Sequence, residues 1–266
     1  MSGTSSLQSI SERFIAARLT ATPLSDFPGE LPATLSDAYA IQDLSIAAWA
    51  DAVAGWKVGG IPSHLQEKFG ESRVSGPIFR RTVHQAGDTV IEIPVFDGGF
   101  AAVEGEIVLQ TDRDIPPGSL DADSDEVVAA VPSAFIGVEL ASSPLGAIND
   151  LGPPSVISDF GNNAALIVGD PIDDWGPAIA GRTMTVSIDG ATIGTAPLAP
   201  LEDGAIGAFR FLLKNCAARG ITLPKGTFVS TGAVTGVHQA SVGATAEVSF
   251  EGMRAISLRL AAIEPR

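Results

Sequence analysis

The segment from Ala101 to Gln110 reads AAVEGEIVLQ, and no other stretch constrains the chain as much. Its β-branched and apolar residues predict a strand, in which successive side chains point to opposite faces. Ala102, Glu104, Glu106 and Val108 then share one face; Val103, Gly105, Ile107 and Leu109 share the other. Two carboxylates side by side on one face repel each other. Either that face is solvated or a cation lies over it. A bound cation removes the repulsion and recruits a third acid. Glu139, inside the apolar stretch AFIGVELA, is the candidate, because a carboxylate among apolar neighbours needs a partner. Carboxylate oxygens suit Mg2+ or Mn2+, whereas zinc more often calls for His or Cys.

The surrounding pattern predicts an α+β fold. Leu7, Ile10, Phe14 and Ala17 recur at helical spacing. After a Pro- and Gly-containing link from Thr22 to Pro32, Thr34 and Asp37 have capping spacing before a second stripe of Ala38, Ile41, Leu44 and Ala48. Beyond Gly55 strands dominate: Trp56–Gly60, Thr89–Phe96 with Pro94 marking an edge or bulge, Ala101–Gln110 and Ala134–Ala141. Asp189-Gly190 between Thr183–Ile188 and Ala191–Thr195 signals a hairpin, since a type I′ turn needs positive φ at both central positions. Ile206, Phe209, Leu213 and Ala217 predict one inserted helix, stopped at Gly220. Strands return at Phe228–Gly232 and across Ala244–Leu260, around Gly252. This is not the βαβα alternation of a doubly wound sheet. The change of pattern suggests an N-terminal α/β subdomain over residues 1–85 and a β-rich, metal-binding catalytic core over 86–266.

Composition excludes several classes. With 31 acidic residues against 16 Lys and Arg, the net charge is −15, which makes nucleic acid and anionic membranes poor partners. No apolar run approaches the roughly 20 residues of a membrane span. The N-terminus lacks the basic and apolar regions of a signal peptide. A single cysteine, Cys216, excludes an internal disulfide framework and fits a reducing cytoplasm. It lies on the apolar helix stripe, which favours a core role over a nucleophilic one. There is no P-loop, G-x-G-x-x-G after a strand, G-x-S-x-G or H-E-x-x-H.

The order of several motifs resembles a known family. GWKVGG at Gly55–Gly60, Glu104-Gly105-Glu106 and Glu139 in GVEL follow one another as in the 2-keto-4-pentenoate hydratases and 4-oxalocrotonate decarboxylases of the fumarylacetoacetate hydrolase superfamily. Ala38-Tyr39-Ala40-Ile41-Gln42, Asp159 ahead of a small-residue segment reaching Gly169, Leu223-Pro224-Lys225-Gly226 and Ser230-Thr231-Gly232 extend the match over nearly the whole chain. The resemblance implies N-terminal helices on a β-rich core with a mixed β-roll, a Mg2+ or Mn2+ site, cytoplasmic location and homo-oligomers. It implies that Glu104, Glu106 and Glu139 are the metal ligands and that Lys57 lies in the active site. The chain departs from the pattern in three places. Val74-Ser75-Gly76 stands for a D-x-G segment, Ser142-Ser143-Pro144 for an Asp-Ser-Arg-like stretch, and Asp159-Phe160-Gly161-Asn162-Asn163 for Asp-Asn-Ala-Ser-Ser.

The chemistry expected is that of a small 2-keto acid, whose carboxylate and keto oxygen chelate a cation that stabilises an enolate. Hydration of a 2-hydroxy-2,4-dienoate and decarboxylation of a 4-oxalocrotonate-type acid both pass through that charge. Lys57, one of four lysines, is the candidate acid/base or orienting group, and burial beside a metal would favour its neutral amine. A third reaction is C–C bond hydrolysis of acylpyruvates. The superfamily's hydrolases use a His-x-x-Glu dyad, and His64-Leu65-Gln66-Glu67 stands close to the corresponding place, although no lysine follows the third ligand before Lys214. Asp159 and Thr231 are candidates for substrate contact or for turn and strand-end hydrogen bonds. His84 reads as a surface residue; His238, after Thr235-Gly236-Val237, could line the pocket but is given no role. The altered position at Ser75 also suggests a degenerate relative that binds a keto acid or metal without turnover.

Overall fold

The computed structural model describes residues 2–173 and 175–266. Two helices come first. Helix α1 (Ser2–Leu19) buries Ile10, Phe14 and Ala17, the predicted stripe. Helix α2 (Leu35–Ala48) starts at Thr34, whose hydroxyl accepts the Asp37 N–H at 3.1 Å. This satisfies one of the free donors of the first turn. The helices lie against each other, with a buried hydroxyl pair, Ser11 and Ser45, 2.8 Å apart.

Strand β1 (Val53–Gly60), helix α3 (Ser63–Phe69), strand β2 (Arg73–Phe79) and strand β3 (Val83–Gln85) follow. Next come β4 (Ile91–Val95), β5 (Phe100–Gln110), helix α4 (Glu126–Ala129), β6 (Ser133–Ser143), helix α5 (Pro153–Ser158) and β7 (Asn163–Pro171). The chain ends with β8 (Thr183–Ile188), β9 (Ala191–Pro197), helix α6 (Ala205–Ala218), β10 (Phe228–Ser230), β11 (His238–Gln239), β12 (Thr245–Phe250) and β13 (Ile256–Ala262). Asp189 and Gly190 both have positive φ, at 49° and 79°, as the hairpin signal required. Gly220, just past α6, sits at φ 69°.

The strands form two sheets. The larger has eight strands in the order β2-β1-β10-β5-β6-β7-β3, with β11 also paired to β5; the smaller runs β4-β13-β12-β8-β9. Pro94 lies in β4, an edge strand, where its missing N–H costs no ladder bond. The α+β class and the mixed pairing are those expected. The boundary expected at residue 85 runs through the larger sheet, because β1 pairs with β10 and β3 with β7. The first 85 residues therefore supply three strands of the sheet that carries the glutamates.

Strand β5 separates two environments. Val103, Ile107 and Leu109 face the main core, shared with Met184, Val186 and Val248 of the smaller sheet. Gly105 makes that approach possible: an added Cβ would lie 2.7 Å from Met184 Sδ and 3.0 Å from Val248 Cγ1. On the other face, Ala102 and Ala141 pack beneath Ile10, Phe14 and Ile41 of the N-terminal helices. Further along, Val108 joins Ile78, Leu166 and Val168 in a second apolar patch. Glu104 and Glu106 occupy the interval between these two patches.

Candidate metal centre and its cavity

That face is not solvated. Residues 100–109 of β5 are all buried. Glu104 pairs directly across the sheet with Glu139 of β6, and Glu106 with Gly137. One oxygen from each of Glu104, Glu106 and Glu139 lies within 4.8 Å of the other two. The three residues predicted from strand alternation and an apolar context are thus brought to one point.

Their partners are few. Glu106 Oε2 accepts a short hydrogen bond from the Ser230 hydroxyl and another from the Gly232 N–H at 3.0 Å. Glu139 Oε1 accepts from the Asn163 amide at 3.0 Å and lies 3.4 Å from Lys57 Nζ. Glu106 Oε1 and Glu139 Oε2 are buried without a hydrogen-bond partner. Unpaired buried carboxylate oxygens are costly. Three carboxylates against one ammonium leave two negative charges when all are ionised, the charge a divalent cation cancels. Hard oxygen donors with free lone pairs converging on one point fit Mg2+ or Mn2+.

The electrostatics show the same strain. Burial pushes the Glu104 carboxyl up to about 7; Lys57 opposes the rise and Glu139 adds to it. Glu106 is raised well above the carboxylate range by burial, then by the charges of Glu139 and Glu104. Lys57 is subject to two opposing influences. Burial alone would lower it, but the charges of Glu139, Glu104 and Glu106 outweigh burial and hold it above the ordinary lysine value. The three glutamates thus favour the ammonium form of Lys57; the neutral amine was the expectation for a lysine beside a bound metal.

Lys57 and Glu104 border a cavity of about 370 Å3. Lys57 reaches it from β1, opposite Gly76 of β2 and Ser230 of β10. Gly76 and Gly161 permit this arrangement. A Cβ on Gly76 would lie 2.3 Å from the Phe160 carbonyl, and one on Gly161 3.2 Å from Lys57 Cδ. The segment 160–163 therefore lies close beneath the lysine stem. Asn162 also lines the cavity; it is buried, with φ 66° and no partner for Oδ1.

The remaining candidates are placed differently. His64 and Glu67 are exposed on α3, while Leu65 and Phe69 turn inward; neither His64 nor Glu67 lines the cavity. Asp159 is buried and bound to Arg18, at 2.5 Å and 2.9 Å, and to the Ser143 hydroxyl at 2.6 Å. Thr231 donates to the Ile107 carbonyl at 2.7 Å and borders a neighbouring cleft of about 280 Å3. His84 is half-buried, with burial lowering its pKa. His238 bonds Thr235 Oγ1 at 2.9 Å and packs on Gly194, outside the cavity lining. Ser75 bonds Asn215 of α6 at 2.9 Å and takes the Tyr39 hydroxyl at its N–H, so its side chain serves the helix side of β2. Cys216 is buried, with its thiol pushed up to about 12, as a core residue should be.

Sequence reasoning missed Asn163, Ser230 and Arg18 as partners. Arg18 had a signal: it continues the Ile10, Phe14 stripe at the same spacing, so a buried arginine needed an acid. Asn163 and Ser230 lie within the Asp159–Asn163 and Ser230-Thr231-Gly232 motifs, but only the fold shows which carboxylate each meets.

No family model matches the chain, and no curated protein matches it. Among solved structures, it is similar to 4-oxalocrotonate decarboxylase from Pseudomonas putida G7 complexed with magnesium and adipate. That likeness has a TM-score of 0.78 and 19% identity, covering 97% of this chain and 98% of that one. The same enzyme complexed with calcium and acetate gives 0.76 at 20% identity, with the same coverage. Fumarylpyruvate hydrolase from Pseudomonas aeruginosa, in complex with Mn2+ and pyruvate, gives 0.55 at 15% identity, covering 82% of this chain and 94% of that one. The chain thus has the fold of these enzymes, the fumarylacetoacetate hydrolase-like fold that its motif order implied.

Proposed function

We propose that this protein is a divalent-metal-dependent lyase that hydrates a 2-hydroxy-2,4-dienoate, the dienol form of an unsaturated 2-keto acid. The observation that carries the reading is the convergence of Glu104, Glu106 and Glu139, two of them with unpartnered oxygens, where Glu104 and Lys57 border a cavity. Complexes of similarly folded enzymes with magnesium, calcium or Mn2+ support it.

The three glutamates would hold Mg2+ or Mn2+. When bound, the cation supplies Lewis-acid stabilisation of negative charge developing on a keto acid. Lys57 offers a positive donor beside it, able to orient a carboxylate or deliver a proton at Nζ. Glu139 keeps that amine in place and charged. The unpartnered oxygen of Asn162 is free to accept a hydrogen bond from whatever enters. Glu106 and Glu139 are fully buried away from bulk water, which strengthens every charge interaction there.

Decarboxylation is the second reading, favoured by the likeness at TM-score 0.78 to a 4-oxalocrotonate decarboxylase. C–C hydrolysis through His64 and Glu67 has less support, since both are exposed outside the cavity lining. A binding protein without turnover was suggested by Ser75, but Ser75 faces Asn215 rather than the carboxylates. A cytoplasmic homo-oligomer remains part of the proposal. Among the described residues no helix is long and apolar enough to cross a membrane.

The test is loss of dienol ultraviolet absorbance when the protein meets 2-hydroxypenta-2,4-dienoate with Mg2+ or Mn2+, then with chelator. Metal-dependent loss with a hydroxylated keto acid as product is expected. No loss, in protein that holds metal, overturns the hydratase assignment.

A further inference from the structure

We propose that the cavity selects 2-keto acids whose far end is uncharged and apolar over those ending in a second carboxylate. This rests on the keto-acid reading above and names its substrate class. The cavity carries charge only at its floor, at Lys57 and Glu104. Its walls are Ile61, Pro62, Val74, Pro153, Val156 and Val237. The other polar side chains in the lining, Asn149 and Asn162, are neutral.

A keto acid anchored at the floor must send its far end along these walls. A carboxylate there gives up hydration and meets no cation, which is costly. An apolar end buries Val237, a large side chain 50% exposed at the rim.

Nearby cations are committed elsewhere. Lys57 is engaged by Glu139. Arg73 adjoins Val74 on β2, but neighbouring strand residues point to opposite faces. Its guanidinium donates to the Asp203 carbonyl at 2.8 Å and borders the second cleft. Lys68 on α3 lies over the Phe69 ring, outside the cavity lining.

The test is calorimetric binding of 2-oxohexanoate and 2-oxoadipate to Mg2+-loaded protein. The two ligands have the same carbon chain and differ in the terminal carboxylate, and no turnover is required. We expect 2-oxohexanoate to bind at least about tenfold more tightly. Val237→Arg, which places a cation at the rim, should raise the affinity for 2-oxoadipate several-fold and narrow the gap. Equal or tighter binding of 2-oxoadipate by the unaltered protein overturns the specificity and leaves the keto-acid reading standing. Binding of neither ligand by metal-loaded protein overturns the keto-acid reading and this proposal with it.

Discussion

Asn163 donates its side-chain amide to Glu139 Oε1 at 3.0 Å and so fixes which oxygen of Glu139 remains free. Lys57 shares that bonded oxygen, so Oε2 is left without a partner. Groups that orient a metal ligand in this way are typically worth about 10–100-fold in metal affinity. Asn163→Ala should therefore weaken Mg2+ binding by about tenfold, measured by calorimetry. Unchanged affinity would mean that Glu139 is oriented by the strand alone.

Glu106 gives a prediction with opposite signs for stability and metal. Its carboxyl is fully buried, with one oxygen unpartnered and two like charges nearby. Glu106→Gln keeps the shape and removes the charge. In chelator, the variant should melt at the same temperature as the parent or higher. Adding Mg2+ should stabilise the parent, by about 2.7 kcal/mol at a hundredfold excess over Kd, and leave the variant unmoved. Metal-dependent turnover should vanish. A variant that keeps turnover would remove Glu106 from the metal site.

Lys57 and His64 separate two chemistries. Lys57 is buried at the cavity floor; His64 is exposed on α3. Lys57→Met should lower kcat by on the order of 10²-fold or more, the range of a lost acid/base group. His64→Ala should change it less than about threefold, as expected for a surface substitution. The reverse order would favour a hydrolase that uses His64 and Glu67.

The site was legible where the signal was local. Period-two alternation in β5 put Glu104 and Glu106 on one face, and the apolar stretch around Glu139 marked its burial. Thr34, Pro94 and Asp189-Gly190 likewise encode their cap, edge and turn within a few residues. What was illegible depends on pairing distant segments. Nothing near Asp159 says that its partner is Arg18, 141 positions earlier. The charge state of Lys57 was not legible, because burial and three neighbouring carboxylates act in opposite directions and only their positions decide the balance. The boundary at residue 85 divides a sheet because β1 pairs with β10 and β3 with β7, both beyond it.

The Arg18–Asp159 pair distinguishes scaffold from substrate contact. Both side chains are buried, and Arg18 also donates to the carbonyls of Ser142 and Asn163. Removing one partner strands the other charge. Arg18→Met should cost about 3–5 kcal/mol in urea unfolding, as should Asp159→Ala. If Asp159→Ala instead raises KM with stability unchanged, Asp159 contacts substrate after all.

Asn162 should show function held at the expense of stability. Its backbone lies at φ 66°, which asparagine tolerates better than most residues and glycine adopts freely. Its side chain is buried, lines the cavity and has an unpartnered oxygen. Folding does not require that oxygen; a ligand can use it. Asn162→Gly should therefore leave the unfolding free energy within about 1 kcal/mol of the parent, since backbone relief and lost packing oppose each other. Turnover should suffer disproportionately, with kcat/KM for the dienoate down by about tenfold, the cost of one hydrogen bond of roughly 1.4 kcal/mol. Asn162→Asp keeps the shape but adds a negative charge to the cavity that Glu104 borders, and should bind keto acids more weakly still. If both variants match the parent in kcat/KM, Asn162 shapes the turn under Lys57 and nothing more.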